Sequence, residues 1–197
     1  MKVYSFDEKV EIIKNYCLKE TKSINPIEIA KAMMHLDCIS IHGVEHHVLD
    51  GAALLTAVHN TGKVFDLAKA LDQITVRGRK MPGAMCGLWG VCGSASSVGA
   101  ALSILNQTTY LSRESWSANI DYTGRALSRI ASLPGPRCCK RNAFNSLLEA
   151  IDYVLEVYSI ELEKEKVVCE FSNLNKECLK EECPYNIAYS GTLEFNK

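Results

Sequence analysis

The chain has 197 residues, 47% hydrophobic and 23% charged, with a formal net charge of -1, the composition of an ordinary globular domain long enough to bury a core without covalent staples. That balance leaves no basic face for nucleic acid or for an acidic membrane surface. Met1 to Glu8 lacks the apolar stretch of a secretory signal, and no apolar run is long enough to span a bilayer, so the expectation is a cytoplasmic protein that engages neither nucleic acid nor membrane.

The periodicity then predicts a series of helices. Ser5-Phe6-Asp7-Glu8 carries the capping-box pattern, followed by Val10, Ile13, Cys17 and Leu18 at helical spacing, which predicts a helix over 6–19. Asn25-Pro26-Ile27-Glu28 is a second start signal, for a helix reaching about His35. Residues 37–50 read as irregular and hold most of the histidines. A short apolar helix over 51–60 follows, then one over 63–76 with Val64, Leu67, Ala68, Leu71 and Ile74 on one face. Pro82 and a run of glycines end it.

From Ser94 the pattern is helical again, rich in small residues around Val98, Ala101, Leu102 and Leu105. Ser112 is the expected N-cap of a helix through Ser132, with Trp116, Ile120, Leu127 and Ile130 inward. Leu133-Pro134-Gly135-Pro136 is a break. Residues 142–160 form the clearest amphipathic helix, with Leu148, Ile151 and Leu155 expected in the core. Past the charged run 161–166 the periodicity fails. The expected architecture is mostly α: a helical domain over 1–166 with a glycine- and cysteine-rich central loop, and a cysteine-bearing tail over 167–197 packed on it.

Nine cysteines are many for such a chain. A reducing compartment keeps them from serving as disulfides, and an odd number leaves one over. Metal, cluster or thiol chemistry is the alternative. Cys17 falls on an apolar helix face and reads as inert, and Cys38 is ambiguous. Cys86, Cys92, Cys138, Cys139, Cys169, Cys178 and Cys183 all fall in predicted loops or at helix starts, where sulfurs are available as ligands.

Three clusters carry the candidate chemistry. In the central loop, Cys86 and Cys92 flank a tryptophan among glycines, and the loop runs into a helix start at Gly93-Ser94. Such a start suits an anion, although a buried small-residue turn would use the same residues. In Arg137-Cys138-Cys139-Lys140-Arg141, cations and a helix start favour thiolate, so either cysteine is a candidate ligand or nucleophile, and the cations are candidate substrate contacts. In the segment from Cys38 to His47, His42, Glu45, His46 and His47 are candidate metal ligands or acid–base groups. His42 and His46 share a face if that segment is helical. The polar tail has three cysteines with which to order itself around a metal, iron–sulfur first and zinc second.

Together, Ile-His-Gly-Val-Glu-His-His, Pro-Gly-Ala-Met-Cys-Gly-Leu-Trp-Gly-Val-Cys-Gly, Gly-Pro-Arg-Cys-Cys-Lys-Arg and the tail Cys…Cys…Cys-Pro-Tyr resemble the DUF5714-like family over residues 35 to 187. Val44 departs from it, standing where that resemblance expects a proline. The resemblance implies an anaerobic setting, in bacteria and archaea, alone or beside radical-SAM and SAM-dependent methyltransferase proteins. It supplies no reaction. The functional expectation is that cysteines of the central loop, the 137–141 turn and the tail, with the His42–His47 segment, converge on one metal site, at least three of the seven sharing it, and that the protein has redox or sulfur-transfer chemistry on a small anionic substrate. The alternatives are a non-catalytic zinc or cluster module docking on a partner enzyme, and a metal-free thiol enzyme.

Overall fold

In the computed structural model, which describes residues 2–191, the chain forms helices joined by short turns, with no strand among the described residues. Residues 192–197 of the expected tail lie outside the described part. Helix α1 (Phe6–Lys19) starts as predicted: Ser5 Oγ accepts from the Glu8 amide at 3.2 Å, and the Glu8 carboxylate accepts from the Ser5 amide at 2.8 Å. Asn25 Oδ1 takes the first two amides of α2 (Pro26–Met34).

Helix α3 (His46–Asn60) is the axis of the molecule. It is buried from His46 to Val58 and packs against α1, α2, α4 (Leu67–Arg79), α6 (Gly93–Leu105) and α8 (Cys139–Tyr158). Its contact with α6 is close because Gly51 has no side chain. A Cβ there would lie 2.6 Å from the Ser97 carbonyl oxygen, and the Gly51 amide donates to Ser97 Oγ at 2.9 Å. A short turn, α5 (Met85–Leu88), sits in the central loop. Helix α7 (Glu114–Ala131) closes one side over α6 and α8, where Tyr122 donates its hydroxyl to the Ser146 carbonyl at 2.8 Å.

The tail packs on the same helices. Val167, Phe171, Cys183 and Tyr185 join the core. The Cys169 amide donates to the Tyr185 carbonyl at 2.7 Å, and the Tyr185 hydroxyl reaches Asn145 Oδ1 at 2.6 Å. His35 pairs with Glu170 at 2.7 Å and lies against Phe171. Apart from a single turn at Lys180–Glu182 the described residues of the tail have no regular structure.

Several predicted boundaries and faces are corrected. Helix α3 starts at His46 rather than Gly51, so His46 and His47 are helical and only the segment before them is irregular. Helix α8 starts at Cys139 rather than Asn142. Helix α4 runs from Leu67 to Arg79, leaving Val64 exposed ahead of it and Ala68 on the outer face while Ala70 is buried. The N-cap of α7 is Arg113, not Ser112. On α7 the fully buried residues are Tyr122 and Ala126, with Leu127 and Ile130 packed against the core as expected, whereas Trp116 and Ile120 are 49% and 55% exposed. On α8, Leu148 and Ile151 are buried as expected, but Leu155 is 54% exposed, and on α1 Leu18 is exposed.

Candidate functional site

The start of α8 is a wall between two cavities. Cys138 is its N-cap, in extended conformation, and Cys139 is its first helical residue. Successive helical positions diverge by about 100°, and the two sulfurs part accordingly. Cys138 lines a narrow cavity of about 20 Å³ with Cys169, Cys178 and Cys183. Cys139 lines a roomier one of about 300 Å³ with Cys86, Cys92 and the histidines 42, 46 and 47. The seven loop cysteines therefore do not converge on one centre. They divide four and three between the cavities, because adjacent residues on one helix cannot face the same way.

In the narrow cavity each sulfur faces a backbone amide from two or three residues further along. The Arg141 amide donates to Cys138 Sγ at 3.5 Å and the Lys180 amide to Cys178 Sγ at 3.4 Å. The Phe171 and Tyr185 amides act in the same sense on Cys169 and Cys183. Burial outweighs them, pushing the Cys169 thiol up to about 11 and raising Cys183 as well. Asn175 Nδ2 adds a longer contact to Cys138 Sγ at 3.7 Å. Among the described residues no group of three or more His, Cys, Asp or Glu side chains is placed so that it could hold a metal ion.

The roomier cavity is built by the first residues of α3, α6 and α8. The His47 Nδ1–H faces the Met81 carbonyl at 3.3 Å, which leaves Nε2 as an acceptor, and burial lowers the pKa of the ring. The His47 ring lies against Gly93, where any Cβ would overlap it. That close approach is the reason for glycine at the α6 start. Cys92, the N-cap of α6, accepts from Asn142 Nδ2 at 3.3 Å. Burial raises its pKa and takes Cys139 up to about 12. The expectation that cations and a helix start hold Cys139 as thiolate is thus corrected: desolvation by the packed protein is the larger effect.

The other predicted residues sort as follows. Glu45 is buried away from both cavities. Burial works against its charge, but hydrogen bonds from Lys9 (2.9 Å) and the Ser40 amide (2.8 Å) more than offset that and bring its pKa down to about 2. Such a tethered carboxylate anchors the turn before α3 and does not suit proton transfer. His42 lies ahead of α3 rather than one turn along it from His46. It lines the roomier cavity and bonds Asn175 Oδ1 at 3.2 Å. Lys140 is 1% exposed, donates to the Ser40 carbonyl at 3.0 Å, and sits 3.2 Å from His46 Nε2. Burial pulls its pKa down to about 8. Arg141 clamps the preceding turn through the Pro134 and Pro136 carbonyls. Of the three predicted cations only Arg137 lines the roomier cavity.

Sequence reading missed Asp50, Asn142 and Asn175. Asp50 is fully buried one turn into α3, its carboxylate 3.7 Å from His46 Nδ1 and without a hydrogen-bond partner. A carboxylate inside an otherwise apolar helix was the available signal, since buried charge is costly. Asn142 was hidden in the amphipathic pattern of α8. Asn175 joins the cavities, with His42 on one side and Cys138 on the other.

Comparison with curated proteins returns no match, and comparison with solved structures returns none. A family model does match, over residues 13–186: the chain belongs to DUF5714, a family of unknown function.

Proposed function

For this member of a family without an assigned reaction, we propose that Cys138, Cys169, Cys178 and Cys183 hold an iron–sulfur cluster, and that the protein carries out redox chemistry on a molecule bound in the neighbouring cavity. One observation carries the reading: four cysteines from the α8 start and the tail ring one cavity, each with a backbone amide directed at its sulfur. Hydrogen bonds to sulfur stabilise cluster-bound thiolate and tune its potential. The raised pKa values of Cys169 and Cys183 fit as well, because ligation replaces the proton and relieves the desolvation penalty. A cubane needs its four sulfurs further apart than the close tetrahedron around one zinc ion, about 2.3 Å from the metal. When bound, the cluster supplies one-electron chemistry. A structural zinc is the second reading, and it would need the four sulfurs drawn closer together than they stand here.

Metal and sulfide analysis after anaerobic purification separates the two. The expected result is about four iron and four sulfide per chain, lost in Cys169→Ser and Cys178→Ser and kept in Cys17→Ser and Cys86→Ser. Zinc without sulfide favours the structural site, and absence of both metals overturns both readings.

A further inference from the structure

The cluster reading uses four of the seven loop cysteines and leaves Cys86, Cys92 and Cys139. Two of these stand together. An open hollow, walled by Gly90, Leu127 and Ile130, adjoins the roomier cavity, and the residues that line both spaces are Cys86, Cys92 and Asn142. These three side chains form the partition between them. The two cysteines differ in setting. Cys86 is half-buried in the single turn of α5, whereas Cys92 is only 8% exposed. The Cys92 sulfur accepts from Asn142 Nδ2 at 3.3 Å, and the Ser94 and Ala95 amides act on it in the same sense. Such donors stabilise a sulfur that carries negative charge, as it does on leaving a disulfide.

The segment between the two turns back on itself. The Trp89 amide donates to the Met85 carbonyl at 2.8 Å, and Gly90 takes a φ of 68°, a conformation open to glycine. Met85 is buried, while residues 87–90 are exposed. A Cβ added at Gly87 or Gly90 would meet nothing within 4 Å among the described residues. The outer side of the loop is thus unpacked and leaves room for the shift that brings Cys86 to bonding distance of Cys92.

We propose that Cys86 and Cys92 are a redox-active dithiol that reduces a small organic disulfide bound in the roomier cavity. Cys86 attacks one sulfur of the substrate, so that a bond from Cys86 to that sulfur forms as the substrate's own S–S bond breaks. The departing thiolate takes up a proton, replacing the one that Cys86 gave to solvent. Cys92 then attacks the Cys86 sulfur, its proton goes to the second departing sulfur, and a disulfide between Cys86 and Cys92 remains. Two electrons have passed from the pair to the substrate, which leaves as two thiols. A dithiol reductant returns the pair to its starting state by the same exchange in reverse. The cavity of about 300 Å³ lies at the small end of ligand sites, and Val44, Ala84 and Met85 give it an apolar wall, which suits a disulfide of a few carbon atoms. The inference names the substrate class of the redox reading and rests on that reading for its place in the reaction, while the exchange itself needs no cluster.

The test treats the anaerobically purified protein with equimolar bis(hydroxyethyl) disulfide, counts iron in the same sample, and maps the cysteine products by mass spectrometry of peptides. The expected result is about two thiols released per disulfide consumed, and a new link between Cys86 and Cys92. Cys92→Ala is expected to stop halfway, with a hydroxyethylthio group held on Cys86 and half the thiol released. Cys86→Ala is expected to release thiol about ten-fold more slowly or less. Wild-type protein that links any other pair first, Cys92 with Cys139 included, overturns the inference. So does wild-type protein that fails to react or that keeps the mixed disulfide, so the wild-type map decides even where a variant folds poorly. Iron-bearing protein that forms no such link counts against this inference alone. Iron-free protein that forms it counts against the cluster alone.

Discussion

At the scale of single residues, charge and burial decide roles that spacing suggested otherwise. Glu45 shows this most directly, because its carboxylate is held by Lys9 and the Ser40 amide and its pKa is about 2 against an ordinary 4.5. A depressed acid contributes stability that is complete above its unfolded pKa and is lost as pH falls through the folded value. Glu45→Gln is therefore expected to cost about 1.5–3 kcal/mol at pH 7, the range for hydrogen bonds to a charged group. Urea unfolding of both proteins at pH 7 and pH 3 checks it, with the difference shrinking between about pH 4.5 and 2. A gap independent of pH would show that the carboxylate is not the stabilising form. The sequence marked Glu45 as chemically dense by its histidine neighbours. It gave no sign that Lys9, far away in the chain, would claim it. Cys17 and Cys38, by contrast, are both buried, and for Cys17 the apolar helix face alone indicated it.

At the scale of elements, start signals were legible for α1 and α2, where a standard capping residue stands, but not for α4, whose cap Asp66 was passed over for an earlier start. Ser5 and Asn25 cap α1 and α2 as read. They failed where the cap is unusual: Cys138 caps α8 through sulfur, and α3 has no side-chain cap, so both starts were placed too late. Faces were legible on α8 and less so on α7. There Ala126 and Tyr122 pack inward while larger apolar side chains point out, and periodicity weights size over fit. Helix α8 offers a matched pair of substitutions. Leu148→Ala removes a fully buried side chain and is expected to cost about 2–5 kcal/mol. Leu155→Ala, on a side chain that is mostly in solvent, is expected to stay within about 0.5 kcal/mol. Denaturant midpoints for the pair measure both, and similar losses would mean that the outer edge of α8 is covered by something absent from this chain.

For the whole molecule, an all-helical domain was evident from pattern alone, and no helix among the described residues is long and apolar enough to cross a membrane. The partition of the cysteines was not evident. It depends on the angular phase of Cys138 and Cys139 at one helix start, and on which face of the tail meets α2 and α8, neither of which spacing encodes. The tail has little regular structure, so in the cluster reading ligation supplies part of its folding free energy. Removing iron with a chelator under anaerobic conditions is expected to open residues 169–186 to proteolysis while α1 to α8 stay protected. Equal protection before and after chelation would show that Phe171 and Tyr185 alone hold the tail in place.

Cys138 belongs to the helical body, whereas its three companions in the narrow cavity belong to the tail. On the ribosome, Cys138 therefore emerges with the helices it packs beside, and the body can fold while the tail is still being made. One wall of the cavity is complete at that stage and the other does not yet exist. If the cluster reading holds, iron and sulfide would enter between emergence of the tail and its docking, when the thiols of Cys169, Cys178 and Cys183 are still in water.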